Sequence, residues 1–176
     1  TVDLIVCDYV CRGINSPKVF RKHLDSLEKK YGSKITYVKA KNKELGWREL
    51  TFKVEFENGK SYYGTGTVDN FTRGYLRSGI FCRPSCYECN YKSAQHNSDI
   101  TLGDFWGIES VAPELDDDKG ASLLICNTEK GMAFFNMVRE QCLWKKVLFA
   151  EVLEKNHHLL HSLKHPAVSR DTFFND

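Results

Sequence analysis

The sequence predicts an α+β (mixed α/β) fold, one mixed and partly antiparallel sheet with flanking helices, built as a single domain over residues 1–176. Three observations carry this reading. A β-branched run at Val2–Val10 is followed at once by a helical repeat that opens on Ser16-Pro17. An alternating stretch, Leu50 to Phe56, runs into Asn58-Gly59 and a second strand, the pattern of an antiparallel hairpin. From Ala121 onward, a short apolar run again precedes a helical repeat.

Taken in order, Val2–Val10 is expected to be a buried strand of a sheet covered on both faces. Ser16-Pro17 supplies the N-cap and first position of a helix whose apolar residues are Val19, Phe20, Leu24, Leu27 and Tyr31. Gly32 is its stop. Ile35–Lys41 is a strand, and Asn58-Gly59 is expected to form a type I′ turn into Ser61–Thr67. Asp69–Arg77 reads as helical, with Phe71, Tyr75 and Leu76 as its apolar face. The acidic Pro113–Lys119 segment lacks the alternating ligand spacing of a calcium loop and reads as a solvated loop. Ala121–Cys126 is a buried strand, and Thr128 opens a helix carrying Met132, Phe135, Met137 and Val138. Leu143–Phe149 fits strand or helix. Glu151–Lys164 is expected to be one helix, which would put His157, His161 and His165 on one face and Leu153, Leu160 and Leu163 on another.

A chain of 176 residues can bury a core without disulfides or metal. The net charge of +2 gives no argument for nucleic acid, and no apolar run is long enough to span a bilayer. Seven cysteines, an odd number, leave one unpaired in any full disulfide scheme. The chain is also rich in Lys and Glu, so the expectation is a cytoplasmic protein with some thiols free and others metal-bound. It opens on TVDLIV without an initiator Met, which reads as the middle of a strand in a longer protein.

The chemistry concentrates in Phe81–Glu109, which starts with Cys82, Cys86 and Cys89. Cys86 and Cys89 form a C-x2-C pair, a spacing that turns two thiolates toward one metal centre. Cys7 and Cys11 lie on the first strand and its exit, and together with the pair make a possible four-sulfur site. Such a site takes zinc or an iron–sulfur cluster, and spacing alone does not choose. Cys82 is the alternative to Cys7 as fourth ligand, because residues along a strand alternate in facing. A nucleophilic cysteine is a further option, with His96 as the nearby base. Cys126 and Cys142 fall on apolar segments and read as inert core thiols. The Cys11–Ser16 loop precedes a helix N-terminus, an arrangement that can present N–H groups to an anion; the plainer reading is a simple strand-to-helix connection.

Four stretches carry a resemblance to a known family: CDYVCRGINSPKVF at Cys7–Phe20, RPSCYECNYK at Arg83–Lys92, SDITLGDFWGIE at Ser98–Glu109 and DDDKGASLLICNTEKG at Asp116–Gly131. The sequence resembles the C-terminal domain of the coenzyme F(420) hydrogenase/dehydrogenase beta-subunit family. The resemblance implies an oxidoreductase that passes electrons between a [4Fe–4S] cluster, FAD and a deazaflavin (coenzyme F(420)) or another small-molecule acceptor. It implies cluster ligation by Cys7, Cys11, Cys86 and Cys89, with Cys82 an extra thiol where an aliphatic residue is usual. It places Asp104, in a Gly103-Asp104 turn, in the flavin pocket, with Gly13, Asn15 and Ser16 near it; by their chemistry Gly103 permits close backbone approach, and Phe105 and Trp106 are either apolar cover for a ring or simply core. Where the family pattern has Cys-His-Gly, this chain has Cys11-Arg12-Gly13. A redox partner protein, or an N-terminal ferredoxin-like part missing from this sequence, completes the expectation. The competing reading is a zinc-stabilised interaction domain without catalysis.

Overall fold

The structure, a computed structural model, describes residues 4–175. Along the chain these form β1 (Cys7–Tyr9), α1 (Pro17–Tyr31), β2 (Ile35–Asn42), β3 (Thr51–Phe56), β4 (Ser61–Thr65), α2 (Asn70–Arg73), β5 (Ile100–Asp104), α3 (Ile108–Val111), β6 (Ser122–Cys126), α4 (Glu129–Val138), α5 (Phe149–Leu153) and α6 (Arg170–Asn175). The fold is α+β. The chain divides into two compact units, each made from two separated stretches.

One unit takes the residues up to Arg12 and Cys89–Ser162. Its sheet is mixed, in the order β1-β5-β6: β1 runs parallel to β5 with Cys7 opposite Ile100, and β6 runs antiparallel with Cys126 opposite Ile100. Phe105, Ile108, Ala112, Leu123, Val152 and Leu159 form its core. Asp99 holds two elements together: one carboxylate oxygen accepts the Val6 N–H at 2.9 Å and the other the Thr128 hydroxyl at 2.8 Å. These two donors, the Val6 N–H foremost, hold its carboxyl below the ordinary value. Thr128 caps α4 as the sequence predicts, and Gly131 sits so close to Asp99 that a Cβ would fall 2.0 Å from its carbonyl oxygen.

The second unit takes Gly13–Glu88 and the chain from Leu163 on. Its sheet is the antiparallel meander β2-β3-β4. The predicted bounds of α1 hold: Ser16 Oγ accepts the Val19 N–H at 3.4 Å, Pro17 opens the helix, and Gly32 ends it at φ 61°. Leu24 and Leu27 bury with Phe52, Val54, Phe56, Phe71, Ile80 and Phe81, while Val19, Phe20 and Tyr31 pack against them. Burying such side chains is worth about 1.5–3 kcal/mol each, so this core outweighs every single polar contact discussed below.

Several expectations change. Thr1–Asp3 lie outside the described residues, and of the first strand only Cys7–Tyr9 pairs. It is an edge strand, and neither it nor its approach is buried: Leu4 is 63% and Tyr9 71% exposed. The hairpin lies where Asn58-Gly59 puts it, but Asn58 is not at positive φ as a type I′ turn requires. Instead Phe56 O accepts the Gly59 N–H at 2.9 Å, Phe56 N–H donates to Lys60 O at 3.0 Å, and Gly59 takes φ 80°. This is a three-residue loop with a glycine bulge. The Asp69 helix forms and passes into a π turn at Gly74–Ser78, which leaves Leu76 exposed. On α4, Met132 and Met137 are exposed. Residues 143–148 are irregular.

The helix expected over Glu151–Lys164 stops after α5 and resumes only as a 3₁₀ turn at His157–Leu159. Asn156 is the cause. Its buried amide accepts the Trp106 N–H at 3.1 Å and donates to Trp106 O and Val152 O, each at 2.8 Å. An Asn that captures backbone groups in this way competes with helix propagation. His157, His161 and His165 therefore do not share a helix face. Among the described residues, no helix is long and apolar enough to cross a membrane.

Candidate functional site

In the second unit, loop Gly13–Ser16 lies against Phe81–Arg83. Ser16 N–H donates to Phe81 O at 2.8 Å and Arg83 N–H to Ile14 O at 2.9 Å, making an isolated antiparallel bridge of Asn15 with Cys82. The bridge buries Cys82 completely, with its thiol 3.7 Å from Asn15 Oδ1. Cys86 ends the 3₁₀ turn Pro84–Cys86, and its sulfur accepts the Ile14 N–H at 3.3 Å. A Cβ on Gly13 would stand 3.4 Å from the Cys82 sulfur and 3.6 Å from the Cys86 sulfur, ordinary contact distances, so the backbone at Gly13 lies directly beside both thiols. The backbone behind them is tied down: Leu163 N–H donates to Cys86 O at 3.1 Å, and the Arg170 guanidinium donates to Ile80 O, Cys82 O and the Tyr87 hydroxyl. Tyr75 donates its hydroxyl to Gly13 O at 3.2 Å.

The structure thus brings Gly13, Asn15, Cys82 and Cys86 together. Ser16 instead serves α1, with its N–H on Phe81 O and its hydroxyl on Val19. The sequence marks Tyr75 only as part of an apolar helix face and does not mark Arg170, which carries no local signal because its partners lie about ninety positions away.

In the first unit, Cys7 is exposed and its thiol turns to the carbonyl of Asp8 at 3.4 Å. Cys11 and Cys89 are half-buried. The Cys11 carbonyl accepts the Lys92 ammonium, and Cys89 N–H donates to Ser162 Oγ at 2.9 Å. Lys92 also reaches His158 O at 2.6 Å, while Arg12 Nη1 donates to His158 Nε2 at 2.7 Å. With Nε2 accepting, the imidazole proton sits on Nδ1, a buried atom without a partner. Burial first, then the charges of His157, Arg12 and Lys92, push His158 down to about 4. Arg12, which stands where the family pattern has His, therefore faces a neutral ring.

Cys142 is exposed and Cys126 half-buried, so neither is the core thiol expected; burial nevertheless pushes the Cys126 thiol up. His96 Nδ1 lies 2.7 Å from Asp8 Oδ2 and no thiol bonds to it, so the base for a nucleophilic cysteine is held elsewhere. Burial raises the Asp8 carboxyl, but hydrogen bonds with Thr101, His96 and Ser98 outweigh it and hold the group below its usual value. Among the described residues, no group of three or more His, Cys, Asp or Glu side chains is assembled around one point.

Gly103 and Asp104 do not form a turn. They are the last residues of β5, the central strand of the mixed sheet. Gly103 admits the Val10 side chain, which would lie 2.9 Å from a Cβ there. Phe105 is core, while Trp106 is 44% exposed.

A comparison with curated proteins gives no match. Among solved structures, the chain is similar to one in "Xenon derivatization of the F420-reducing [NiFe] hydrogenase complex from Methanosarcina barkeri", with 15% identity, a TM-score of 0.40, and coverage of 92% of this chain and 54% of that one. The chain therefore spans about half of that relative, at a likeness too low to bear on the fold. The family described as the C terminus of the coenzyme F420 hydrogenase/dehydrogenase beta subunit matches residues 2–148. With that match over most of its length, the chain belongs to the family of C-terminal domains of coenzyme F420 hydrogenase/dehydrogenase beta subunits.

Proposed function

We propose that the chain is the iron–sulfur and flavin-binding C-terminal part of an oxidoreductase subunit. On this reading it passes electrons between a [4Fe–4S] cluster, FAD and coenzyme F(420) or another small-molecule acceptor. The observation that carries it is the placement of the Cys82 and Cys86 sulfurs together beside the Gly13–Ile14 backbone, with the Ile14 N–H already bonded to one of them. N–H bonds to ligand sulfur are a means of setting a cluster's potential, and they keep a thiolate in place before metal arrives. Cys86, Cys89 and Cys11 are the proposed ligands. For the fourth, the burial of Cys82 next to Cys86 supports Cys82 over Cys7, whose thiol is exposed on an edge strand. When bound, the cluster supplies one-electron transfer at low potential.

The chain's own part is to bind and orient. Asp104 at the end of β5 can accept a hydrogen bond from a ribose or a ring N–H, and Trp106 offers an exposed aromatic face for a ring. The half-buried Arg12 and Lys92 beside His158 offer positive charge to a phosphate or carboxylate of the same ligand. A redox partner protein or a ferredoxin-like domain is proposed as donor, in keeping with a relative that comes from a hydrogenase complex.

The test compares this chain with a longer protein extended upstream. Each is loaded anaerobically with iron and sulfide, reduced with dithionite and offered FAD and coenzyme F(420). The longer protein is expected to retain FAD and reduce the acceptor, and Asp104→Ala to weaken FAD retention by roughly tenfold, the loss of one buried polar contact. A longer protein that holds no flavin and reduces no acceptor overturns the proposal.

A further inference from the structure

The second unit contains an open hollow of about 690 Å³, the size of a small-molecule site, that the redox reading does not use. Its floor is aromatic. Phe71 and Phe81 are core rings, 8% and 4% exposed, that stack with centroids 5.2 Å apart; Phe71 also stacks on His23, and Phe173 of α6, 38% exposed and 6.0 Å from Phe81, supplies most of the open aromatic surface. Two backbone features shape it. A Cβ on Gly74 would fall 2.5 Å from the Phe81 ring, so glycine lets the ring lie against the helix. The π turn Gly74–Ser78 begins at that glycine and places Arg77 on the lining; π turns inside helices recur at functional sites.

The polar lining holds three cations beside His23, Asn70 and Ser78. Lys22 from α1, Arg73 from α2 and Arg77 from the π turn all border the hollow. Arg73 spends one N–H on Asn70 Oδ1 at 2.9 Å, and neither Lys22 nor Arg77 has a carboxylate partner among the described residues. Asp69, which faces the lining residue His23, is already committed. It accepts the Tyr62 hydroxyl at 2.9 Å and the Thr72 N–H at 2.6 Å, and lies 3.0 Å from His23 Nε2. Three cations beside aromatic surface disfavour a cationic ligand and complement a flat ring that carries a negative group.

We propose that this hollow binds a small planar aromatic anion, its ring against Phe173 and the little of Phe71 and Phe81 that the hollow exposes, and its phosphate or carboxylate between Lys22, Arg73 and Arg77. Both halves are needed. The ring alone lacks a counter-charge, and a free phosphate alone gains nothing from the floor.

The probes are 1-naphthyl phosphate, 1-naphthol and inorganic phosphate, titrated into the full chain by calorimetry. Naphthyl phosphate is expected to bind roughly tenfold more tightly than naphthol and more tightly still than inorganic phosphate, the increment of charge-assisted contacts at a partly solvated rim. Arg77→Gln and Lys22→Gln should each weaken naphthyl phosphate several-fold and leave naphthol unchanged, whereas Phe173→Ala should weaken both aromatic probes. All three side chains border open space, and near-ultraviolet circular dichroism checks that each variant keeps its fold. Equal affinity for naphthol and naphthyl phosphate, indifference to both charge substitutions, or the absence of saturable binding by naphthyl phosphate each overturns the proposal.

Discussion

Replacing Arg170 tests whether the thiol platform is built by long-range contacts that the cysteine spacing does not reveal. Arg170→Gln removes the donor from two carbonyls, Ile80 O and Cys82 O, both on buried residues. A buried carbonyl deprived of its partner costs about 1–3 kcal/mol. The guanidinium also lies 5.7 Å from the Tyr87 ring and 5.0 Å from the Phe174 ring, contacts worth about 0.5–1 kcal/mol each. Tyr87 itself loses little, because its hydroxyl keeps its bond to Gly79 O at 2.8 Å. Two carbonyls and two ring contacts sum to about 3–8 kcal/mol, a large share of the stability of an ordinary domain. Arg170→Lys should retain roughly half, since an ammonium cannot fork across two carbonyls. Urea unfolding reads the loss as a lower midpoint at unchanged slope, and an aromatic disulfide reagent reads it as faster modification of Cys82. If Arg170→Gln unfolds at the wild-type midpoint and Cys82 stays unreactive, the platform is not held in this way.

Two further perturbations test the other unit. Asn156→Leu should destabilise it by about 2–4 kcal/mol, because the Trp106 N–H and C=O both lose their partner in a buried place; thermal unfolding checks this, and a shift under about 0.5 kcal/mol would refute it. For pH, His158 titrates at about 4 in the fold and about 6.5 unfolded. Between those values the unfolded chain takes up a proton that the folded chain refuses. Stability therefore falls as pH drops from about 6.5 to about 4, by about 3 kcal/mol before solvent screening and about half that after it. Asp99, held low by the Val6 N–H, loses its contribution only below the ordinary carboxylate range, so the windows separate. His158→Gln should flatten the upper window alone in a urea series across pH.

How far the sequence reaches depends on how local each cause is. Ser16-Pro17 and Gly32 fix α1 with residues inside or beside it, and the helix ends where they put it. The hairpin position was legible from Asn58-Gly59, but the turn type was not, because Phe56 closes the loop one residue earlier than a two-residue turn allows. The break at Asn156 depends on Trp106, fifty positions away, which no window over Glu151–Lys164 contains. A β-branched run looks the same in a covered strand and an edge strand, so the exposure of Leu4 and Tyr9 had no signature. At the site, C-x2-C spacing singled out Cys86 and Cys89. The partnership of Cys82 with Gly13 depends instead on the bridge between residues 15 and 82, and its anchoring on Arg170, beyond the stretch the family match covers.

The most direct test of the central claim is the metal and sulfide content of the anaerobically purified and reconstituted chain. The account predicts about four irons and four acid-labile sulfides per chain, with the broad visible absorption of a cubane cluster. Both should be lost in Cys86→Ser, Cys89→Ser and Cys82→Ser, and both retained in Cys142→Ser, whose thiol is exposed and bonds to Val138 O. Stoichiometric zinc without labile sulfide in the same preparation would contradict the account and leave the chain a zinc-stabilised domain.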